Sequence, residues 1–483
     1  MFDHLKRLFK HSVIYGLSET ISRGTGFILL LIYLRILDAD DIGTRSLVYA
    51  AAGFVTLFYT LGLDNAFLRY FMDKKYSEEK STIFSTALLF TFFMGFLFFT
   101  GTWIFDVTVS SWITKNSTHT YIVHLIFAVL VFDTVVIYPT LVLRAENRMN
   151  YFTLVSMLRF VLMIGLNIIV VWYLQRGLKG IFETNLIVVI LVAGVLIPIF
   201  RNYLRFNFSF RIFKILFQFG VPTIFTLFFM RIIDFSDRYL IAYFFGAEGT
   251  TAVGYYTPSY TLGMVGIMVF VNSFRLAWQP FFLSVKDNPD ARQLFSKVAT
   301  YYSIFIGMVF LGMTLFREEI FREYTAGKFP VSLSGIIPFV ALAYLLYGFY
   351  FIMLAGIFIR EKTKYLPIAP ISGALLNLGL NFIFIPKFGI IGASYTTVIA
   401  YATMVIILFI ISRKIYTVSY EYYRIGVVFF VTSLMIAVSL FVRIDSAIPH
   451  YLFTVLLLLV PPVIYWFCGF LKAEEMARIK KFS

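Results

Sequence analysis

The sequence has a single cysteine, Cys468, which lies in the last apolar run and excludes an intramolecular disulfide framework. Its five histidines stand at 4, 11, 119, 124 and 450, in tails or at span edges, with no metal-ligand spacing. Charged residues are only 14% of the 483, and no stretch is polar enough and long enough to make a soluble domain. No Gly-rich phosphate loop leads into a nucleotide-binding segment, which excludes an ATP-driven pump in one chain. No cleavable signal peptide is expected, because the first apolar stretch carries Glu19 and Arg23 and continues past Leu30.

What is present is apolar. Hydrophobic residues make up 60% of the chain and mean hydropathy is +0.85. Runs of about 20 apolar residues recur from end to end, as in a polytopic membrane protein. Fourteen spans are expected, among them span 1 at about 12–37, span 2 at 42–64, span 4 at 119–143, span 7 at 215–245 and span 8 at 251–283. They are read as helices, because a helix satisfies its own backbone in lipid and the runs are too long for barrel strands. The fold class is therefore all-α. The net charge of +15 comes from basic residues scattered over short loops, which points away from nucleic acid. Alternate loops hold 26 and 8 of the lysines and arginines, which places both termini in the cytoplasm. The basic tail from Lys472 to Lys481 is expected to lie against anionic membrane lipids.

Several charges fall inside spans, where each costs about 2.5–3.5 kcal/mol on insertion scales. Span 7 carries Arg231, Asp234, Asp237 and Arg238; Asp234 and Arg238 are spaced to pair, with Arg231 one turn away. Glu19 and Arg23 have the same pairing interval in span 1, and Asp133 stands as an isolated carboxylate in span 4.

The chain also repeats. GLN at 165–167 returns at 379–381, GLKG at 177–180 parallels GIIG at 389–392, and Ile42-Gly43 parallels Val253-Gly254. The near-constant offset makes spans 1–6 and 7–12 two parallel six-helix bundles related by an axis along the membrane normal, with two further spans. The expected domains are 1–214, 215–412 and 413–483. Asn167 and Asn381, at matched positions, are read as interhelical hydrogen-bonding residues. Asp64 sits at the repeat position equivalent to Arg275, so the two are expected to face each other across the axis.

These halves, the Asp237-Arg238 pair, the Ala252-Val253-Gly254-Tyr255-Tyr256 opening of span 8 and the GLN…GxxG passages resemble the multidrug/oligosaccharidyl-lipid/polysaccharide exporter superfamily. Within it, the chain resembles the polysaccharide-type, O-antigen-like flippases of bacterial envelopes. The resemblance implies a flippase of the bacterial cytoplasmic membrane and no enzyme. It would carry a polyprenyl-pyrophosphate-linked oligosaccharide from the inner to the outer leaflet by alternating access. Such cargo needs a wet cationic cleft, and arginine suits it because its fork binds phosphate and stays charged. Arg23, Arg231 and Arg275 are the expected cargo contacts; Glu19, Asp64, Asp234, Asp237 and Arg238 are gating or paired charges; Asp133 is the candidate for ion coupling. No metal or cofactor is expected beyond H+ or Na+ as coupling ion, and the polymerase and glycosyltransferases of the same polysaccharide are the expected protein partners.

The alternatives within the superfamily are a peptidoglycan-precursor flippase and a multidrug/cation antiporter. A polysaccharide polymerase or ligase is a further one; the longest outer loop, about 317–334, has Glu318, Glu319 and Glu323 but no histidine. The orientation is testable in a Cys468→Ser background. A membrane-impermeant maleimide is expected to label Lys115→Cys and Lys179→Cys in intact cells and to leave Glu78→Cys and Arg413→Cys unlabelled; the reverse pattern inverts the topology.

Overall fold

A computed structural model describes residues 25–442, 447–467 and 470. The described residues are helical, with turns and short 3-10 segments between helices. Twelve helices are long and apolar enough to cross a membrane, and thirteen when the bent pair α2 (Ala39–Thr60) and α3 (Leu63–Met72) is taken as one span. The first expected span is described only over α1, Thr25–Ile36.

The chain continues through α4 (Lys80–Ile104), α5 (Asp106–Thr114), α6 (Thr120–Ala145), α7 (Met149–Asn167), α8 (Gly177–Val195) and α9 (Ile197–Tyr203). Then follow α10 (Phe210–Phe244), α11 (Gly249–Ser284), α12 (Ala291–Leu315), α13 (Arg317–Tyr324) and α14 (Ile337–Ile359). The last are α15 (Ile368–Phe388), α16 (Ile390–Ile415), α17 (Tyr422–Phe441) and α18 (Ala447–Phe467). Among the described residues, those of 25–258 and 374–393 form one compact unit, and those of 259–373 and 394–470 form the other.

In lipid, apolar side chains gain little by leaving one hydrocarbon for another, so helices choose partners through close backbone approach and polar bonds. The first unit uses both. Span 2 bends by 46° between α2 and α3. Leu61 and Gly62 take left-handed backbone there, with φ +47° and +67°. A side chain at Gly62 would stand 2.6 Å from the Gly220 carbonyl oxygen of α10, and one at Gly220 would stand 2.6 Å from that of Leu61. Two glycines thus let α10 lie across the break. A second crossing joins the starts of α2 and α11. A Cβ on Gly43 would overlap the Thr250 carbonyl, and one on Gly254 would overlap that of Ala39. Thr250 and Thr251 donate hydroxyl bonds to Asp40 beside this crossing. Elsewhere in the unit an aromatic core of Phe67, Phe71, Phe84 and Tyr138 packs α3, α4 and α6 together.

In the second unit α14 is buried along nearly its whole length. The last two spans pack on α12: Leu311 and Leu315 meet Met435 of α17 and Leu457 of α18. Tyr465 and Phe470 close against Val428 and Val431.

The glycine crossing is testable. Gly43→Ala or Gly254→Ala is expected to destabilise the protein by about 1–3 kcal/mol through overpacking, seen as a lower unfolding midpoint in detergent. Gly165→Ala, whose new methyl would meet nothing within 4 Å, is expected to leave the midpoint unchanged or raise it. Equal responses at the three positions would remove the crossing as a constraint.

Candidate functional site

The charged turn of α10 carries a buried polar cluster in the first unit. Asp237 has no exposed surface. Its Oδ2 accepts from the Tyr256 hydroxyl of α11 at 3.0 Å, and its Oδ1 accepts from the Asn381 amide of α15 at 2.7 Å. The Asn377 carbonyl oxygen accepts from the Ser236 hydroxyl at 3.1 Å and from Asn381 at 3.3 Å. Tyr256, Asn377 and Asn381 are likewise fully buried. A carboxylate in hydrocarbon must be hydrogen-bonded to stay there, and this one is held by donors from two other helices.

The next residues on α10 turn toward α2. Arg238 donates from Nε to Ser46 Oγ at 2.8 Å, and from Nη1 to the Asp234 main-chain carbonyl at 2.5 Å. The Tyr239 hydroxyl donates to the Leu47 carbonyl at 2.9 Å. Asp237 and Arg238, adjacent in sequence, thus serve different helix contacts.

Two span arginines lie in another kind of setting. Arg231 is half-buried, with its guanidinium 5.5 Å from the centre of the Phe235 ring. Arg45 of α2 lies 5.0 Å from the Tyr33 ring and 4.8 Å from the Tyr49 ring. Both tyrosines are fixed by asparagines: the Tyr33 hydroxyl donates to Asn167 Oδ1 at 2.6 Å, and the Asn185 amide donates to the Tyr49 hydroxyl. The Nε of Arg45 is buried and has no hydrogen-bond partner. Among the described residues, no carboxylate lies within ion-pair distance, 4.0 Å, of Arg45 or Arg231. Aromatic faces return only about 0.5–2 kcal/mol to such a cation.

The sequence candidates distribute as follows. Arg23 and Glu19 lie outside the described residues. Arg275 belongs to the second unit, half-buried, with its guanidinium 5.4 Å from the Phe351 ring. Phe351 in turn accepts the Trp278 indole on its carbonyl at 3.1 Å. Asp64 is half-buried at the start of α3, just past the bend, in the first unit. Asp133 is not isolated: Arg159 of α7 is 3.1 Å away and pairs with it at a partly exposed surface. The two asparagines bond between helices as read, Asn167 to Tyr33 and Asn381 to Asp237. Arg45 was missed as a site residue. It stands a turn inside α2 behind Asp38, Asp40 and Asp41, so in sequence it reads as a charge at a span edge. Its interval of four to Tyr49 was the signal available.

Asp237→Leu would remove a buried acceptor shared by the Tyr256 hydroxyl and the Asn381 amide, at about 1–3 kcal/mol for each bond lost. The unfolding midpoint in detergent is expected to fall, and to fall less when Tyr256→Phe is already present. Strictly additive effects would show that the two groups do not depend on each other.

Compared with known proteins, the chain matches the family model described as polysaccharide biosynthesis protein over residues 8–286. No curated protein matches it. Among solved structures it is similar to the lipid II flippase MurJ in an inward closed conformation, with TM-score 0.65 and 16% identity over 94% of this chain and 99% of that one. It is also similar to an inward-facing multidrug resistance MATE family transporter of the MOP superfamily, with TM-score 0.66 and 15% identity over 87% and 96%. A MOP superfamily transporter from Pyrococcus furiosus matches with TM-score 0.56 and 15% identity over 87% and 96%. Identity at this level shows the shared fold, and the family match covers more than half of the sequence. The chain belongs to the polysaccharide biosynthesis protein family, with the fold of the multidrug/oligosaccharidyl-lipid/polysaccharide superfamily.

Proposed function

We propose that this protein is a flippase that moves a polyprenyl-pyrophosphate-linked oligosaccharide from the cytoplasmic to the outer leaflet of a bacterial inner membrane by alternating access. The observation that carries the reading is the pair Arg45 and Arg231. Each is a cation on a membrane helix with an aromatic partner and, among the described residues, no carboxylate in ion-pair range. An intramembrane charge at about 2.5–3.5 kcal/mol is retained where it faces an interior or aqueous path and serves a function. Pyrophosphate is an anion that the arginine fork fits, and a charge-assisted bond to it is worth about 1.5–3 kcal/mol. The family match favours a glycan cargo. A peptidoglycan precursor presents the same pyrophosphate, so the two arginines serve that reading equally. An exporter of organic cations would meet repulsion from them.

Arg275, within the second unit, and Arg23, by the repeat, are further proposed cargo contacts; the sequence halves 1–214 and 215–412 are the proposed moving bodies. For coupling we favour Asp237 over Asp133, which already pairs with Arg159. The buried cluster offers carboxylate, amide and hydroxyl oxygens, a hard donor set suited to H+ or Na+. Asp64, Asp234 and Arg238 are then gating charges, both termini lie in the cytoplasm, and the polymerase and glycosyltransferases of the pathway act on either side.

The test is accumulation of lipid-linked oligosaccharide in the inner leaflet. Arg45→Ala and Arg231→Ala, inserted at normal levels, are each expected to slow export about tenfold to a hundredfold, the loss of one charge-assisted phosphate bond. Lysine at either position should restore part of the rate. Unchanged export in both alanine variants would overturn the reading. Asp237→Asn is expected to abolish dependence on a Na+ or H+ gradient, and retained dependence would move coupling elsewhere.

A further inference from the structure

An apolar slot of about 430 Å³ opens in the first unit among α4, α6, α8 and α9. Its walls include Leu88 and Phe92 of α4, Phe132 of α6, Ile190 and Gly194 of α8, and Phe206 in the turn after α9; every lining side chain is apolar. The volume falls in the range of small-molecule pockets, about 300–1,000 Å³. It is separate from the arginines and the Asp237 cluster, whose residues do not line it.

Three features say what it holds. The first is depth. Phe92 is 12 positions into α4 from Lys80, and Phe132 is 13 positions before the end of α6 at Ala145. At about 1.5 Å per residue, the slot reaches roughly 18–20 Å from these helix ends. A single leaflet is half of a hydrocarbon core about 30 Å thick, plus its interface. The lining on these two helices, Leu88 to Phe92 and Phe132 to Val135, thus lies about 12–20 Å from the helix ends, within the depth of one leaflet.

The second feature is charge on the turn that supplies part of the lining, although neither arginine lines the slot itself. Leu204 and Phe206 line the slot on either side of Arg205, and Arg201 lies one turn earlier on α9. Both arginines are exposed. Arg205 Nη1 donates to the main-chain carbonyls of Arg201 at 3.3 Å and Leu204 at 3.2 Å, which fixes the guanidinium over the opening turn. A guanidinium has five N–H donors, so most of them remain for a phosphate.

The third feature is a built turn. Ser85 of α4 accepts from the Arg205 main-chain amide at 2.9 Å and donates to the Tyr203 carbonyl at 3.4 Å, tying the turn to the slot wall. Phe206 takes φ +47°, an uncommon conformation for a bulky residue. Its ring lines the slot although the residue is 79% exposed.

We propose that the slot binds one acyl chain of an anionic phospholipid, with the lipid phosphate held by Arg201 and Arg205. A free phosphate has no use for the apolar depth, and a neutral lipid has less use for the two arginines. The lipid is a resident of the leaflet at the arginine-rich end of the first unit, distinct from the transported cargo.

The slot has its own test, because a Cβ added at Gly194 would meet no atom within 4 Å. Gly194→Leu should fill the slot without moving the backbone, and Arg201→Ala with Arg205→Ala should empty its mouth without touching the walls. Purified full-length protein would be titrated with phosphatidylglycerol and, separately, phosphatidylcholine, and the first bound equivalent followed by native mass spectrometry. Wild type is expected to bind phosphatidylglycerol about tenfold more tightly than phosphatidylcholine, which offers the same phosphate but adds a choline cation that the two arginines repel. Gly194→Leu should lower binding of both lipids, and the double arginine variant should remove most of the preference for phosphatidylglycerol. The proposal is overturned if wild type binds the two lipids equally. It is overturned too if Gly194→Leu, with an unchanged unfolding midpoint, binds as wild type, or if polyprenyl phosphate at equal concentration displaces phosphatidylglycerol, which would make the slot a cargo-tail site.

Discussion

The carboxylate of Asp237 has no contact with solvent, and in hydrocarbon that is sustainable only while its hydrogen bonds are made. Tyr256 and Asn381 make them. Because these donors come from α11 and α15, the requirement fixes where two helices stand relative to one turn of α10. The following two residues extend the constraint: Arg238 and Tyr239 bond to Ser46 and to the Leu47 carbonyl, so the same turn positions α2. Ser46 is adjacent to Arg45, so the buried network also sets the location of the cation proposed to meet cargo.

Glycine supplies the complementary constraint. Polar bonds reach across helices only if backbones come close, and the Gly62–Gly220 and Gly43–Gly254 contacts bring α2 against α10 and α11 at its two ends. Between these contacts, Phe54 and Phe58 of α2 meet Phe228 and Phe235 of α10 edge to face. The placement of α2 is thus defined by absent side chains at its ends, polar bonds between, and aromatic packing along its length. Arg231 is seated on Phe235 within that packing. A cation over an aromatic face keeps its N–H donors available, whereas a carboxylate partner would occupy them. Arg238, two turns on, lies 5.4 Å from the same Phe235 ring but also donates to Ser46 and the Asp234 carbonyl.

Much of the site was legible as residue types and little of it as contacts. Asn167 and Asn381 were marked by the repeated GLN, and each does bond to another helix; their partners, Tyr33 and Asp237, are different chemical groups that the repeat does not relate. Asp133 read as isolated because Arg159, 26 positions away, sits on a different helix, and nothing along one helix face announces an ion pair between two. Arg45 read as an edge charge because three aspartates precede it, while its surroundings are Tyr49 one turn on and Tyr33, Asn167 and Asn185 from other helices.

The sequence by itself determined that this is a bundle of membrane helices and where most of them lie. Runs of about 20 apolar residues have one means of satisfying their backbones in lipid, and that choice depends on no neighbour. It also determined which polar groups must find partners, since each is costly in hydrocarbon wherever the helix goes. Only the tertiary structure decided the partners. Helices with apolar side chains all round can rotate and slide at little cost until a glycine crossing or a buried bond stops them. Asp237 with Tyr256 and Asn381, Arg238 with Ser46, Arg45 between two tyrosines and the slot beneath Arg201 and Arg205 exist only once those rotations are set.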